Sequence, residues 1–439
     1  MNVCIIELND SEIRAGRDAK IILRSPGYAV VKKDRLYTGN DALRLAYLNP
    51  RETYNRFWDK LNQDALQTPA SNYRHHADLA YAHLMAIYQQ CGKPGEILFA
   101  VPGTYTRDKL ALLLGIAGAC PFQAVGMVDS AVAAAAAVVD QGRYQHLDIH
   151  LHQTVITQLD AAGQITRTKV EVIDESGLLR IYAAVSALIA DLFIEQSRFD
   201  PHHHAVTEQA LYDQLPQRLQ TLQHGNEVQF EIHYKNTTHQ ARLRREQLLA
   251  RLQPIYEKIL QRLAPDRTLL LGDRVNTLPG LTELLPGTEV LSAETVFKGC
   301  TEHQVHIRSQ GPALNFITAL PVTKQPLIKA ANRGARPIRT GAVTKRPARV
   351  THILSGHQAY PLSREHSYLS AGGAVTASRQ DDSLGQVAAD GAGQVTVSAA
   401  AGHAVYLNGR QVHGGCAVQP GDKLGFSGSD AGFTFICVN

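Results

Sequence analysis

The stretch Leu147-Asp148-Ile149-His150-Leu151-His152-Gln153-Thr154 lies between an Ala-rich segment and a polar turn, and it decides the interpretation of the fold. Its apolar and polar residues alternate, so His150 and His152 are expected to point the same way. Imidazoles and carboxylates suit divalent metals, so these histidines could form a metal or altered catalytic site with Asp148 and Asp10. The alternative, which we favour, is that all four are ordinary strand and loop residues; we predict no metal site.

The composition is that of a protein with large apolar cores. The chain has 439 residues, 44% hydrophobic and 19% charged, and this length implies two or three domains. Six cysteines lack the spacing of a zinc site or a disulfide framework, so we expect reduced and mostly buried thiols. The N-terminal segment has no signal-peptide pattern, and the longest apolar run, 131–139, is far shorter than the ~20 residues of a membrane span. We therefore expect a cytoplasmic protein without a membrane span.

Residues 322–350 are strongly basic. They include eight Lys or Arg residues, three prolines and no acidic residue. This composition is typical of a flexible linker, and we place a domain boundary there. Such a linker could also bind nucleic acid or an acidic partner. Because no aromatic residues are interleaved, we favour a solvated tether.

Before the linker, strand-like and helix-like patterns alternate. Apolar runs at 3–8 and 97–101 predict strands, and the leucine spacing over 107–118 predicts a helix. Residues 159–165 and 228–234 predict two hairpins. This mixture indicates an α/β protein.

Two helical segments contain residues that need individual interpretation. Apolar residues recur at helical spacing over 248–263, and Pro254 is expected in the first turn of a second helix there. The segment 200–204 contains three consecutive histidines, which cannot all face one ion on a regular element. We predict a polar helix entry, with Thr207 and Glu208 in the next turn.

Up to residue 321, four segments in the correct order are similar to motifs of the actin-like ATPase superfamily, and most similar to the seventy-kilodalton heat-shock chaperones. They are Ala100-Val101-Pro102 with the helix after it, 125–134, the 228–234 hairpin with its following helices, and Leu269-Leu270-Leu271-Gly272-Asp273 with Leu278-Pro279. The resemblance implies a duplicated RNase-H-like fold with lobes at about 1–140 and 141–321. It also implies a cleft between the lobes that binds ATP and Mg²⁺.

The resemblance assigns residues to that cleft. The candidate catalytic residues are Glu7 and Asp148. The candidate nucleotide-binding residues are Asn9, Asp10, Ser11, Asp129, His150, His152, Glu208, Gly272 and Asp273.

Three departures from the family pattern oppose nucleotide binding. Asp10 adds a carboxylate where phosphates would lie, which is unfavourable unless a cation bridges it. His150, Leu151 and His152 replace glycines that let the backbone approach phosphate. Asp273 replaces the second glycine of the adenosine motif. We therefore predict a pseudo-ATPase that needs no cofactor.

Residues 351–439 change to short strand-like runs rich in Gly, Ser and Ala, which is typical of an all-β sandwich. Runs at 394–397 and 404–407 predict strands, and Asn408-Gly409 is a turn signal. The segment resembles a forkhead-associated domain on Tyr360-Pro361-Leu362-Ser363-Arg364, Ser378-Arg379, Leu407-Asn408-Gly409 and Pro420-Gly421-Asp422.

The forkhead-associated resemblance implies phosphothreonine binding. Its candidate residues are Arg364, Ser378, Arg379 and Asn408. Asp381 or its neighbour Asp382 stands where the family has a supporting His, and His403-Ala404-Val405 replaces its Asn-Gly-Thr. Donors are lost and carboxylates added, so we favour a protein-docking surface that does not read phosphate.

Together these patterns predict a scaffold or adaptor that organises protein partners, which could include phosphorylated proteins, in a cytoplasmic assembly. The first alternative is an active ATPase whose metal is held by Glu7, Asp10 and Asp148. The others are a phosphopeptide-binding protein and a filament former.

Overall fold

The three-dimensional description rests on a computed structural model covering residues 3–322 and 350–436. Within these ranges, the residues not described are 34, 71, 286–287, 310–313, 356–357, 363–365, 390–394, 401, 409, 413–415, 420, 428 and 430–431. The chain divides into two compact units, Met1–Ala330 and Ala331–Asn439. Most of the predicted basic linker, 323–349, lies outside the described residues.

The Met1–Ala330 unit mixes strands and helices. Its strands are β1 (Cys4–Glu7), β2 (Ile13–Arg17), β3 (Lys20–Ser25), β4 (Ala29–Lys32), β5 (Arg35–Thr38), β6 (Thr53–Tyr54), β7 (Ala65–Ala70), β8 (Tyr73–His75), β9 (Glu96–Val101), β10 (Gln123–Asp129), β11 (Gly142–Ile149), β12 (Gln153–Ala161), β13 (Gln164–Asp174), β14 (Glu227–Tyr234), β15 (Thr237–Arg244), β16 (Thr268–Leu271), β17 (Glu289–Val290), β18 (Phe316–Ile317) and β19 (Ala319–Pro321). Its helices are α1 (Gly39–Leu43), α2 (Phe57–Lys60), α3 (His76–Gln90), α4 (Arg107–Gly118), α5 (Ser130–Ala136), α6 (Leu178–Ser197), α7 (Ala205–Thr221), α8 (Arg245–Leu260), α9 (Thr295–Glu302) and α10 (Gln304–Ile307). Short 3₁₀ turns cover Pro50–Glu52, Pro201–His203, Asp273–Thr277 and Thr282–Leu284.

Two six-stranded sheets in this unit share one topology. Their strand orders are β18-β10-β9-β1-β2-β3 and β17-β16-β11-β12-β13-β19. In each sheet three consecutive strands form an antiparallel meander, β1 to β3 or β11 to β13. Two later strands then extend the sheet in parallel from the meander's first strand. The same five-stranded arrangement therefore occurs twice.

The central strand β1 is buried on both faces. Cys4 and Ile6 belong to one apolar core, and Val3 and Ile5 belong to another. An uninterrupted apolar run is what a strand covered on both sides requires. The strand predicted at 3–8 is confirmed, as are the strand at 97–101 and the helix at 107–118.

Both sheets contribute to the second of these cores. Leu98 comes from the first sheet and Leu270 from the second, and α5 and α9 pack between them. Strands β18 and β19 are separated only by Thr318, yet β18 pairs with β10 and β19 with β13. The two sheets are thus joined both by packing and by a chain segment that contributes a strand to each.

The contact between α5 and α9 is unusually close. A Cβ atom added at Gly299 of α9 would lie 1.8 Å from the Ala133 carbonyl oxygen of α5. All six residues of Ala131–Ala136 are buried. Small side chains on both helices are therefore a steric requirement of this contact.

The hairpin predicted at 228–234 is confirmed as β14 and β15, with Val228, Phe230 and Ile232 alternately buried. A glutamine side chain pairs with each outer edge of this hairpin. Gln196 of α6 accepts from the Arg242 backbone N–H (2.8 Å) and donates to its carbonyl (3.1 Å). Gln214 of α7 does the same at Glu231, with distances of 3.3 and 3.0 Å.

The other hairpin, at 159–165, is also confirmed, since β12 and β13 pair across the turn at Ala162 and Gly163. The predicted polar helix entry is found as well. Asp200 Oδ1 accepts from the His202 N–H at 2.9 Å, and α7 begins after this turn with Thr207 and Glu208 in its first turn.

The prediction that Pro254 begins a second helix is wrong. One continuous helix, α8, runs through it. Pro254 removes one intrahelical hydrogen bond, but the apolar stripe continues on both sides of it, through Leu248, Leu252, Ile255 and Ile259, all of them buried. Burial of this stripe compensates for the lost bond.

The Ala331–Asn439 unit is rich in strands. They are β20 (His352–Ser355), β21 (Gln358–Pro361), β22 (His366–Ser370), β23 (Val375–Thr376), β24 (Ser383–Ala389), β25 (Val395–Ala399), β26 (Val405–Leu407), β27 (Arg410–Val412), β28 (Cys416–Val418), β29 (Lys423–Phe426) and β30 (Phe433–Ile436). They form two sheets, β21-β20-β30-β29-β26-β27 and β23-β22-β24-β25-β28, around one apolar core. The strands predicted at 394–397 and 404–407 correspond to β25 and β26.

Among the described residues, no helix combines the length and the apolar character needed to cross a membrane.

The α5–α9 contact gives a stability prediction. Gly299→Ala should lower the free energy of unfolding by about 3 kcal/mol or more, because the new methyl group meets backbone that cannot move aside cheaply. Gly115 of α4 is the matched control, since nothing lies within 4 Å of a Cβ added there. Gly115→Ala should stabilise by up to about 1 kcal/mol. Urea denaturation of both variants measures the difference, and equal effects would contradict the steric interpretation.

Candidate functional site

The carboxyl ends of β1 and β11, the equivalent strands of the two sheets, meet at a group of charged side chains. We call this group the arginine–carboxylate cluster. Its members are Glu7, Glu12, Arg14, Asp148, Asp273 and Arg274. Three of these six residues, Glu7, Asp148 and Asp273, are candidates predicted from the sequence, and Glu12 and Arg274 directly follow predicted positions. The structure therefore brings the two sequence-predicted loops together.

Arg274 occupies the centre of the cluster. Its Nη1 lies 3.0 Å from Glu7 Oε1 of the first sheet and 3.4 Å from Asp148 Oδ2 of the second. Its Nη2 donates to the Glu12 carbonyl at 2.9 Å. The Arg274 side chain is only 9% exposed, so its charge depends on these partners. One guanidinium therefore links the candidate catalytic carboxylates of both sheets.

Arg14 makes a second link between the sheets. Arg14 lies on β2, and Asp273 lies in the turn after β16. Arg14 donates two hydrogen bonds to Asp273, of 2.8 and 2.7 Å. Its Nε also donates to Glu12 Oε1 at 2.6 Å, and its Nη1 is 3.8 Å from Glu7. Paired, parallel hydrogen bonds of this type are among the strongest and most directional that arginine makes.

The electrostatics of the cluster favour its charged form. Burial alone would raise the pKa of Asp148, but the charges of Arg274 and the neighbouring histidines, with the Asn9 hydrogen bond, together outweigh it and the pKa is lowered. Burial likewise opposes the charge on Arg14, yet hydrogen bonding with Asp273 and the charge of Glu7 raise its pKa. Arg274 also has a raised pKa, because Glu7 and Asp148 outweigh burial. The cluster is a network of mutually dependent ions.

The two predicted phosphate loops bond directly to each other. Asn9 Nδ2 donates to Asp148 Oδ2 (2.9 Å) and to the Ile149 carbonyl (3.1 Å). Asp10 Oδ1 accepts from the Leu151 N–H at 2.8 Å. Ser11 donates to Asn9 Oδ1 and to the Ile149 carbonyl. Polar groups that would bind phosphate are thus already paired within the protein.

The expectation that His150 and His152 point the same way along one strand is wrong. Strand β11 ends at Ile149 and β12 begins at Gln153, so both histidines lie in the connecting turn, where strand alternation does not apply. His150 Nδ1 is 3.4 Å from Asp10 Oδ1, whereas His152 Nε2 bonds with the Asn55 carbonyl at 2.9 Å.

His150 and Asp10 form a buried ion pair. Burial disfavours both charges, but the hydrogen bond and charge of each partner outweigh it, so the pKa of His150 is raised and that of Asp10 is lowered. Burial has the opposite outcome at His152, where it lowers the pKa despite the bond with Asn55. Among the described residues, no group of three or more His, Cys, Asp and Glu side chains has a geometry suited to a metal ion.

Gly272 is needed for the carboxylate beside it. Its N–H donates to the Leu147 carbonyl at 2.8 Å, and an added Cβ would lie 2.7 Å from Asp148 Oδ1. The absence of a side chain therefore makes room for the Asp148 carboxylate. In this structure Gly272 therefore serves a contact between two segments of the same chain.

Two predicted nucleotide-binding residues lie outside the cluster. Asp129 caps α5, accepting from the N–H groups of Ala131 and Val132, and pairs with Arg167 at 2.7 Å. Burial raises the pKa of Asp129 in spite of these partners. Glu208 lies in the first turn of α7 and forms none of the ion pairs of the cluster.

A very small cavity lies beside the His150–Asp10 pair. The cavity that borders Asp10 and His150 has a volume of about 10 Å³. This is about the room needed by one water molecule. A wider depression of about 470 Å³ lies elsewhere, along α6 and β15, and is lined by Gln196, Arg242 and Arg244 among others.

Away from the cluster, helix α7 also contacts the segment 43–47. Gln209 of α7 donates to the Leu43 carbonyl (3.1 Å) and accepts from the Tyr47 N–H (2.9 Å). Tyr47 stacks on Tyr212 with ring centroids 3.7 Å apart. Segment 43–47 is thereby attached to α7.

The predicted phosphopeptide residues do not form one observed site. Arg364 lies outside the described residues. Ser378 and Arg379 are exposed, after β23. Asn408 is used in a turn: its side chain donates to Asp422 Oδ1 at 2.8 Å and accepts from the Lys423 N–H at 2.9 Å.

Arg14 and Arg274 were not predicted from the sequence, although they organise the site. A signal exists for Arg14, a cation placed between the apolar residues Ile13 and Ala15 of β2. Buried arginines usually have carboxylate partners. Arg274 directly follows the predicted adenosine motif, but nothing in its neighbourhood indicates that Glu7 is its partner.

Comparison of this sequence with protein-family models and with curated proteins finds no match. The site is therefore interpreted from its own geometry.

Replacing Arg274 should lower the free energy of unfolding far more than replacing a similar arginine at the surface. Arg274→Ala leaves Glu7 and Asp148 buried without their cation, and we expect a loss of about 3–5 kcal/mol in the free energy of unfolding. The control is Arg308→Ala, because Arg308 makes two bonds to Glu96 (2.9 and 2.7 Å) but is 35% exposed. That loss should stay below about 1 kcal/mol. Comparable losses in urea denaturation would show that the cluster is not a special contributor.

The His150–Asp10 pair predicts a pH dependence. Because the pKa of folded His150 is raised above the ordinary 6.5, its stabilising charge is complete below that pH and is lost as pH rises through the folded value. Between pH 6.5 and the folded pKa of His150, the free energy of unfolding should fall by up to about 1.4 kcal/mol per pH unit. The decrease should be smaller in His150→Gln, and an unchanged slope would contradict the pairing. His152→Gln, whose residue has a lowered pKa, is the control.

Proposed function

We propose that residues 1–321 form an actin-like, two-lobed fold that no longer hydrolyses ATP, and that the chain serves as a scaffold or adaptor for protein partners in a cytoplasmic assembly. The nucleotide cleft of such a fold would be replaced by ion pairs and hydrogen bonds within the chain.

The repeated sheet topology supports the fold. An actin-like fold consists of two RNase-H-like halves, and here one five-stranded arrangement occurs twice, in β1 to β10 and in β11 to β17. The two sheets share a core at α5 and α9, with the carboxyl ends of β1 and β11 facing one cleft. These features agree with the order of motifs found in the sequence.

The position of Arg274 carries the functional proposal. Its guanidinium links Glu7 and Asp148, the residues that the resemblance assigns to the two phosphate loops. An internal cation at this place substitutes for the Mg²⁺ that would neutralise such carboxylates. The neighbouring cavity of about 10 Å³ is also far smaller than the ~300 Å³ of a small-ligand site.

The contacts of Tyr47 and Gln209 between segment 43–47 and α7 support the same conclusion. In a nucleotide-dependent switch, ligand binding supplies the differential energy that closes the cleft. Here side chains from both sides already supply it. A permanently closed cleft suits a protein whose partners need one constant surface.

We propose a protein-docking role for the Ala331–Asn439 unit. Of the residues that the forkhead-associated resemblance assigns to phosphate, Asn408 is already bonded to Asp422 and Lys423. Ser378 and Arg379 are exposed and available to a partner. This arrangement favours docking that does not depend on phosphothreonine.

Calorimetric titration with ATP and Mg²⁺ tests the proposal on the full chain. We expect no binding heat at ligand concentrations up to about 1 mM, which corresponds to less than about 4 kcal/mol of binding free energy. Freshly purified protein should also release no ADP or ATP on denaturation.

Micromolar binding would favour the active-ATPase alternative. In that case Asp148→Asn should abolish binding while Glu96→Gln, which changes a half-buried carboxylate on the same sheet as β1, leaves it intact. Concentration-dependent light scattering would instead favour a filament former.

A further inference from the structure

Strand β13 forms an edge of the second sheet that is only partly covered. Strand β19 pairs with β13 at Gln164–Thr166, and the Arg167 N–H donates to the Thr318 carbonyl at 3.0 Å. Beyond this point, no strand in the described part of the Met1–Ala330 unit pairs with the outer side of residues 168–174. We call residues 168–174 the open segment of β13. An edge of this kind can pair with a further strand.

The ladder fixes the direction of the backbone groups in the open segment. Gln153 of β12 lies opposite Asp174, and its carbonyl accepts from the His150 N–H on the side of β11. Two opposite residues that do not bond each other direct their N–H and C=O groups away from each other, so those of Asp174 point outward. Because the direction alternates with period two, Val172 and Val170 also direct theirs outward. Neither valine has a hydrogen-bond partner on that side among the described residues of this unit.

An exposed apolar side chain lies in the open segment, among charges of both signs. Val172 is 41% exposed, within the part of β13 whose pairing with β12 is regular. Glu171 pairs with Lys169 at 2.9 Å and with Arg262 of α8 at 3.2 Å. The formal charges of this surface sum to zero, so it does not repel a second copy of itself. The three cations are Lys169, Lys258 and Arg262, and the three anions are Glu171, Asp174 and Glu175.

We propose that the open segment is a homodimer contact, in which β13 of a second copy pairs with it antiparallel about a two-fold axis at Val172. Val172 then lies opposite the partner's Val172, and Val170 lies opposite the partner's Asp174. All these residues direct their backbone groups outward, as a bonded pair requires. The Asp174 carbonyl already accepts from Lys258, but a carbonyl oxygen has two lone pairs and can accept a second bond.

The centre at Val172 follows from comparison with the neighbouring registers. A centre one residue to either side would place Glu171 opposite itself or opposite Glu175, and like charges directly opposite each other are destabilising. A centre two residues earlier would extend the partner's strand over Thr166, where β19 already pairs. A centre two residues later would leave only the strand ends in contact.

A two-fold contact of this kind uses the same surface on both copies, so assembly stops at two chains. The contact does not involve the arginine–carboxylate cluster. The proposed dimer is therefore independent of whether the cleft binds a nucleotide.

Sedimentation velocity of the full chain over a concentration series tests the proposal. We expect a species of twice the mass of one chain, whose share rises with concentration and reaches a plateau. Val172→Lys should sediment as a single chain, because two like charges would lie directly opposite each other at the axis. The matched control is Val290→Lys, since Val290 is 39% exposed on β17, the strand at the opposite edge of the same sheet. This control should dimerise like the unaltered chain.

A cysteine crosslink tests the register and needs only a conservative substitution. Bonded antiparallel partners have Cα atoms about 5.5 Å apart, within the roughly 4.4–6.8 Å that a disulfide spans. Mild oxidation should therefore join two chains of Val172→Cys. Val290→Cys should not crosslink, and the unaltered chain, treated in the same way, controls for the native cysteines.

Four results would overturn the proposal. They are a single-chain mass at all concentrations up to about 0.1 mM, a mass that keeps rising beyond two chains, a dimer that persists in Val172→Lys, and equal crosslinking of the Val172→Cys and Val290→Cys variants.

Discussion

The bridge from Glu7 through the Arg274 guanidinium to Asp148 is the interaction on which the first unit depends. Charges this deeply buried are tolerated only when they are paired, since each would otherwise cost several kcal/mol. Glu7 ends β1 and Asp148 lies near the end of β11, so the pairing also fixes the two sheets against each other.

Several close contacts adapt the structure to that arrangement. Gly272 leaves space for the Asp148 carboxylate, and Gly299 lets α9 approach α5 in the core that both sheets share. Thr318 separates two strands that enter different sheets. Charge pairing, tight helix packing and chain connectivity thus act on the same junction between the two sheets.

Local patterns predicted local structure well and the site only in part. The strand at 3–8 and the hairpin at 228–234 follow from apolar periodicity, which acts over a few residues. Pro254 was misjudged because tertiary burial, absent from local rules, keeps its helix continuous. The pairing of Glu7 with Arg274 spans 267 positions, and no short-range pattern encodes such a partner. The histidines of 150–152 were assigned to a strand that ends one residue earlier.

The glutamines beside the β14–β15 hairpin have a consequence for crowding. A free sheet edge offers unpaired backbone groups to any other strand. Gln196 and Gln214 each occupy one N–H and one C=O of an outer strand with a side-chain amide that imitates the peptide group. A strand of a second copy would therefore meet, at Glu231 and at Arg242, a backbone N–H and C=O that are already paired, which interrupts the ladder it would need on either edge.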